Sequence, residues 1–323
     1  MKTKDLKFSN DIKVELLVDS INPNKQRLMT FIFSAPNIIH AEIMRHRAGS
    51  FSVSSNRAIP TNKLNKVDCF IPVDVGYNQK GMQANERLTD DDLNHFQNLW
   101  KVAYESMLYI TQQMDLPSGN KVHKQHLNRL TMPFQIPTIV MTLTEPGLKN
   151  FIIQRNSEMA QPEIHDLAIK IEDVYSRSVP KQLQWGEWHI PFILSEDEQL
   201  PLFDKLMLGT ARSARTSYKL NIENRNSDVD SDLKLATDLL HKYHLSPFEH
   251  SAMAFNPKLL DGVCSHLAKN GDYEGIYHKF NNIYRNIPGF MSLRPVIEFV
   301  AKKEPLKAMT LLHTMIDKNE YDL

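Results

Sequence analysis

Arg45, His46 and Arg47 stand side by side, and the ten positions after them add Ser50, Ser52, Ser54, Ser55 and Arg57. Guanidinium groups meet phosphate oxygens through a planar fork of N–H donors, while serine hydroxyls and a glycine-containing backbone add neutral donors around the same anion. With Gly49 among them, these residues have the chemistry of a cradle for a phosphate dianion. The spacing predicts a helix after Pro36, with Asn37 as its N-cap and Ile39, Ala41 and Ile43 turned inward, running to the Arg-His-Arg triplet. Residues two apart on a helix are separated by about 200° around the axis, so Arg45 and Arg47 are expected on opposite sides with His46 between them. Such a triplet can touch two ligands, or a ligand and a neighbouring subunit. Ser50 to Arg57 read as a loop beyond the helix. The competing reading is a solvated charged helix end.

Other chemistries have weaker support in the sequence. The stretch "DVDSD" at 228–232 opens like a calcium loop, but Leu233 stands where the loop needs glycine and Leu239 where it needs glutamate. His241, His244 and His250 lack an HExxH frame, and Pro247 interrupts their helix, so capping and packing roles are expected of most of them. There is no GxGxxG, Walker loop or GxSxG. Cys69 lies in a strand-like segment, and Cys264 falls on the apolar face of a helical pattern at 258–269. Neither has an activating neighbour or metal-ligand spacing, so both are expected to be inert thiols in a reducing compartment.

Composition sets the outer limits. Lysine plus arginine and aspartate plus glutamate balance at 38 each, so no global field attracts a polyanion and no nucleic-acid partner is expected. The N-terminus is too polar for a signal peptide, and no apolar run approaches the ~20 residues of a membrane span, so a cytoplasmic location with no membrane contact is expected. At 323 residues, one large core or two modest ones are allowed.

The elements that must position the cluster follow from periodicity. Ile12, Val14, Leu16 and Val18 alternate with polar residues except at Leu17, and Met29, Phe31 and Phe33 share a face, predicting two paired strands. Helices are expected at 90–114, 120–131, 145–155, 158–177, 203–217 and 229–243, with surface loops at 116–120 and 221–232. Arg155 ends one apolar segment just before Ser157, which is read as the cap of the next. Few strands beside many helices give an α+β class.

Together these stretches carry a resemblance. Arg45-His46-Arg47, seven residues, then Ser55, with "SAPNII" before and Arg57 after, resembles the signature of the flavin-dependent thymidylate synthases (ThyX). Asn150, Arg155, Ala160, Gln161, Glu163 and Ile164 are similar to that family's "NFLxLR…AQxEI" segment, and "NRLTMP" aligns Arg129 with its nucleotide-binding arginine. Ala214-Arg215-Thr216-Ser217-Tyr218, His244 and "SPFEH" at 246–250 resemble the block that opens the family's usual order. Here that block comes last, as expected of a circular permutation, which is tolerated where termini lie close together. The organisation implied is one catalytic domain over 1–323, made of segments 1–195 and 196–323, in a ThyX-like fold with helices on a small, mainly antiparallel sheet.

The resemblance implies a homotetramer that binds FAD, is reduced by NADPH, and uses methylenetetrahydrofolate to convert dUMP to dTMP. Ser55, Arg57 and Arg155 are the implied catalytic residues. Glu42, Arg45, Ser54, Ser55, Asn56, Arg57, Arg129 and Arg155 are implied for dUMP. Arg45, His46, Arg47, Asn150, Ser217, His244, Ser246 and Glu249 are implied for FAD. No metal is implied, and hydride from reduced flavin makes a cysteine nucleophile unnecessary. The chain departs from the family at Glu42 (usually Gln), Val53 (Glu), Thr144 (Asn) and Met159 (a flavin-stacking His). A carboxylate at Glu42 could favour cytosine, so C5 methylation or hydroxymethylation of another pyrimidine nucleotide such as dCMP is the second reading. A non-catalytic nucleotide-binding homologue is the third.

Overall fold

The computed structural model describes residues 7–61, 69–81, 84–113, 116–217, 228–255 and 287–301. Its strands are β1 (Phe8–Ser9), β2 (Lys13–Ile21), β3 (Arg27–Ser34), β4 (Ser50–Val53), β5 (Cys69–Phe70), β6 (Thr138–Thr144), β7 (Lys181–Gln182), β8 (Trp188–His189), β9 (Ala252–Ala254) and β10 (Phe290–Ser292). Five of them form the main sheet in the order β4-β6-β3-β2-β7, antiparallel except for the β2–β7 pair. The expected pair at 12–18 and 28–34 is β2 and β3. The untidy Leu17 falls where the register shifts between Leu16 and Val18, so a bulge re-aims the alternation there. β3 is buried on both faces from Leu28 to Phe33, because it lies in the middle of the sheet with layers above and below.

On one face, Met29, Phe31, Phe33, Ile139, Met141 and Leu143 meet Leu148 and Phe151 of the helix Glu145–Arg155 and Ile164, Leu167, Ala168 and Ile171 of the helix Pro162–Ser176. Each such fully buried large side chain contributes about 1.5–3 kcal/mol by leaving water. On the other face, Leu28 joins a cluster with Leu183, Ala252, Ala254 and Phe290, and Ile32 and Val140 meet Phe192. Behind this lies a second core, where the helices Leu202–Ala214, Val229–His241 and Leu293–Ala301 close over β9. Gly289 seals the contact between this half and the β2–β3 turn. Its φ is +86°, and a Cβ would lie 2.0 Å from Gln26 Oε1, so only glycine fits.

Several expectations change. The helix after Pro36 is a 3-10 turn, Asn37–Ile39, and a short helix, His40–Ile43, so Arg45, His46 and Arg47 follow it in a turn rather than riding on it. Asn37 does not cap; its Nδ2 donates to Met132 O at 3.1 Å. Ser50–Val53 is not loop but the edge strand β4, in which Phe51 and Val53 pack on the core and Ser50 and Ser52 alternate with them. The second helix after Arg155 begins at Pro162 with Gln161 as N-cap, and Ser157 Oγ instead accepts from Met159 N at 3.2 Å. Proline at the first helical position, where its missing N–H costs nothing, was the stronger signal. Residues 229–232, which fall in both the loop expected at 221–232 and the helix expected at 229–243, open the helix Val229–His241. The expected helix at 258–269, Cys264 and Tyr218 lie outside the described residues. Among the described residues no helix is long and apolar enough to cross a membrane.

Candidate functional site

β4 is where the expected site residues converge. The turn carrying Arg45, His46 and Arg47 leads into it, and the loop Ser54–Arg57 leaves it. Arg45 and Arg47 are exposed while His46 is buried between them, so the two cations are presented outward although no helix separates them. His46 packs edge-on against Phe151 with ring centroids 4.7 Å apart. Burial, then the neighbouring Arg155 and Arg45 charges, push its pKa down to about 4, so the imidazole is neutral at neutral pH. Its Nε2 accepts from Arg155 Nε at 3.1 Å, which leaves the ring proton on Nδ1.

Arg155 sits in the last turn of its helix, mostly buried. It also donates to Glu42 Oε2 at 3.3 Å and to the Glu42 carbonyl at 3.2 Å. Three of the five N–H groups of a guanidinium are thereby used and two remain. Glu42 Oε2 is thus held by the Arg155 cation.

The loop after β4 is tied to a different element. Ser54 continues the sheet edge: its N donates to Thr138 O at 2.9 Å and its Oγ accepts from Thr138 N at 3.1 Å. Ser55 O accepts from Ala58 N and Ile59 N, and Ser55 Oγ accepts from Arg57 N at 3.2 Å, winding Ser55–Ile59 into a tight turn. The helix Lys124–Leu130 grips that turn from behind. Asn128 Nδ2 donates to Asn56 O and Ile59 O, and Lys124 Nζ to Ala58 O. Arg129, on this helix, and Arg57 are both exposed.

The third group comes from the end of the chain. The 3-10 turns Arg215–Ser217 and Ser246–Glu249 both pack against β4. His244 is exposed just before the second turn, and Ser246 opens it. Glu249 accepts from Arg294, which also reaches Glu298. Asn150 is exposed on the same helix as Arg155 but about 140° from it around the axis, with Oδ1 accepting from Gln154. Met159 is 71% exposed.

Sequence reasoning missed what fastens this group to the sheet. His250 Nδ1 meets Thr142 Oγ1 at 2.9 Å and its Nε2 meets Ser52 Oγ at 2.8 Å. Thr142 bonds Thr30 at 2.7 Å, and His189 bridges Thr30 and Ser20 at 2.8 and 3.0 Å. This polar chain crosses β4, β6, β3 and β2 inside the protein. Both histidines are fully enclosed, and burial drives each pKa down to about 3, so both are neutral hydrogen-bonding groups. Also missed was the buried cluster in which Arg212 pairs with Asp197 and Asp232 while Arg215 pairs with Asp232. Asp232 thus answers the question raised by "DVDSD": it balances arginines, and among the described residues no His, Cys, Asp and Glu group is fit to hold a metal.

Residues 22–181 match the family described as thymidylate synthase complementing protein, and no curated protein matches the chain. Among solved structures, a UMP/dUMP methylase, PolB, from Streptomyces cacaoi bound with 5-Br UMP shares 18% identity at a TM-score of 0.45, over 53% of this chain and 92% of that one. Thymidylate synthase X from Helicobacter pylori with FAD and dUMP shares 18% identity at a TM-score of 0.31, over 46% of this chain and 67% of that one.

Proposed function

Through residues 22–181 the chain belongs to the thymidylate synthase complementing protein family, and on that premise we propose that it methylates C5 of dUMP using FAD, NADPH and methylenetetrahydrofolate. The observation that carries this reading is a set of cations kept free of carboxylates. Among the described residues no ion pair engages Arg45, Arg47, Arg57 or Arg129, and all four are exposed on segments that adjoin β4 or are bonded to its flanking loop. An anion of matching geometry completes such a set.

In this reading Ser55, Arg57 and Arg129 take the nucleotide phosphate, with the two remaining N–H groups of Arg155 beside them. Ser54 and Asn56 shape the loop. Glu42 and His46 act through Arg155, fixing its fork. The residues assigned to FAD suit it as donors: Arg45 and Arg47 for a diphosphate, Asn150, His244, Ser217 and Ser246 for polar edges. Glu249, tied to Arg294, braces the turn that carries Ser246. The one poor match is Met159, a thioether where an aromatic ring would stack. FAD held there and reduced would supply the hydride that turns the folate-borne methylene carbon into a methyl group, with tetrahydrofolate released. The uracil C5 hydrogen leaves as a proton, and NADPH is the reductant consumed. A thiolate route is disfavoured at Cys69, which is buried with Tyr104 and Phe134.

The reading extends to organisation. Residues 1–195 and 196–323 act as one permuted catalytic domain, supported by the His250 bonds to Ser52 and Thr142. A homotetramer with shared sites is part of the same reading, and Ile153 and Met159, 77% and 71% exposed, are apolar residues that such an assembly would cover. The test is release of tritium from C5-labelled dUMP with FAD, NADPH and methylenetetrahydrofolate, run beside C5-labelled dCMP. Release from dUMP is expected. Release from dCMP alone moves the substrate to cytosine, and no release from folded, flavin-loaded protein makes it a non-catalytic homologue.

A further inference from the structure

We infer that Asn128, assisted by Lys124, is the positioning residue that makes the turn after β4 an anion site. This rests on the nucleotide reading above for the identity of the anion. The carbonyls of Asn56, Ala58 and Ile59 would repel a phosphate if they faced it. All three are turned to the helix Lys124–Leu130, where Asn128 Nδ2 binds the first and last at 2.8 and 2.9 Å and Lys124 Nζ binds the middle one at 2.7 Å. Ser55 O is also used internally, by Ala58 N and Ile59 N. What the turn leaves to meet an anion is therefore the exposed Arg57 side chain, with little opposing carbonyl dipole. Asn128 is completely buried, and its own carbonyl is fixed by Gln135 Nε2 at 2.9 Å. Its Oδ1 has no hydrogen-bond partner among the described residues. The cost of that unmet buried acceptor is offset by the two loop carbonyls that Nδ2 satisfies and that an apolar residue would leave unpaired. The two carbonyl acceptors also decide the amide orientation, since a flipped amide would set oxygen against oxygen.

The test measures affinity for dUMP, deoxyuridine and inorganic phosphate by calorimetry in the wild type, Asn128→Ala and Lys124→Met. The clamp requires Asn128→Ala to weaken dUMP and phosphate by about tenfold or more while deoxyuridine stays within about twofold. Lys124→Met, which keeps the fold if Asn128→Ala does not, should weaken the same two ligands several-fold. Equal weakening of dUMP and deoxyuridine, or no weakening of either phosphate ligand, overturns the inference. A wild type that binds phosphate but not dUMP removes the nucleotide reading and leaves the clamp to be judged on phosphate. A wild type that binds none of the three removes both.

Discussion

Arg212 and Arg57 are the same side chain in opposite surroundings. Arg212 is 2% exposed, and its fork is filled by Asp197, Asp232 and the Phe192 carbonyl. Arg57 lies on the surface with no carboxylate partner among the described residues. A guanidinium taken out of water must be fully paired, because stripping it of solvent costs several kcal/mol. The second half of the chain meets that demand internally, with Arg212, Arg215, Asp197 and Asp232 joining the helices Leu202–Ala214 and Val229–His241. The first half leaves Arg45, Arg47, Arg57 and Arg129 in water, where a guanidinium needs no carboxylate partner. Arg155 is between the two, mostly buried and partly satisfied. Sequence shows a cation; only the placement of carboxylates shows whether it serves the fold or a ligand.

Substitutions should separate the two roles. The largest stability loss is expected from Arg212→Met, about 3–5 kcal/mol in denaturant unfolding, since Asp197 stays buried without its arginine and Asp232 keeps only Arg215. An unfolding change below about 1 kcal/mol would show that the cluster is dispensable. Arg57→Ala should leave unfolding within about 0.5 kcal/mol of wild type, yet raise the dUMP dissociation constant about tenfold to a hundredfold, with Arg57→Lys recovering part of it.

Acid should act on the interior rather than the cations. His189 and His250 are held near pKa 3 and His46 near 4, all below the unfolded value of 6.5. Below pH 6.5 the unfolded chain takes up protons that the folded one refuses, so stability should fall as pH drops towards those values. Urea midpoints at pH 7.5 and 5.5 check this, and His250→Gln should flatten the slope. In Arg155→Ala, NMR should find the His46 pKa higher than in wild type but still below 6.5, because burial, the larger cause, remains. Smallest of all is Arg177→Ala, which breaks only the exposed pair with Asp173 and should change stability by no more than about 0.5 kcal/mol and nucleotide binding not at all.

The elements carrying a clear period were legible: β2, β3 and the long helices repeat their apolar residues over enough turns to be read. β6 was not read, although Thr138, Ile139, Val140, Thr142 and Thr144 form a β-branched run after Pro137. β4 was hidden because its alternate serines look like loop residues, when Phe51 and Val53 between them mark a strand. The candidate site residues were named from type, spacing and the family resemblance, but their partners were not. Glu42 meets Arg155 across 113 positions, Ser52 meets His250 across 198, and Asn128 meets Asn56 across 72. Pairs that distant are set by the sheet order β4-β6-β3-β2-β7 and the packing of the last segment against it, which no local pattern encodes.

That the unpaired cations are kept for a nucleotide phosphate is tested most directly by titrating dUMP into wild type and Arg57→Ala, with the unfolding free energy of each measured on the same preparation. Binding that weakens at least about tenfold in a variant of unchanged stability is the expected result. Equal affinity in the two proteins, or a loss of affinity that merely follows a loss of fold, would contradict it.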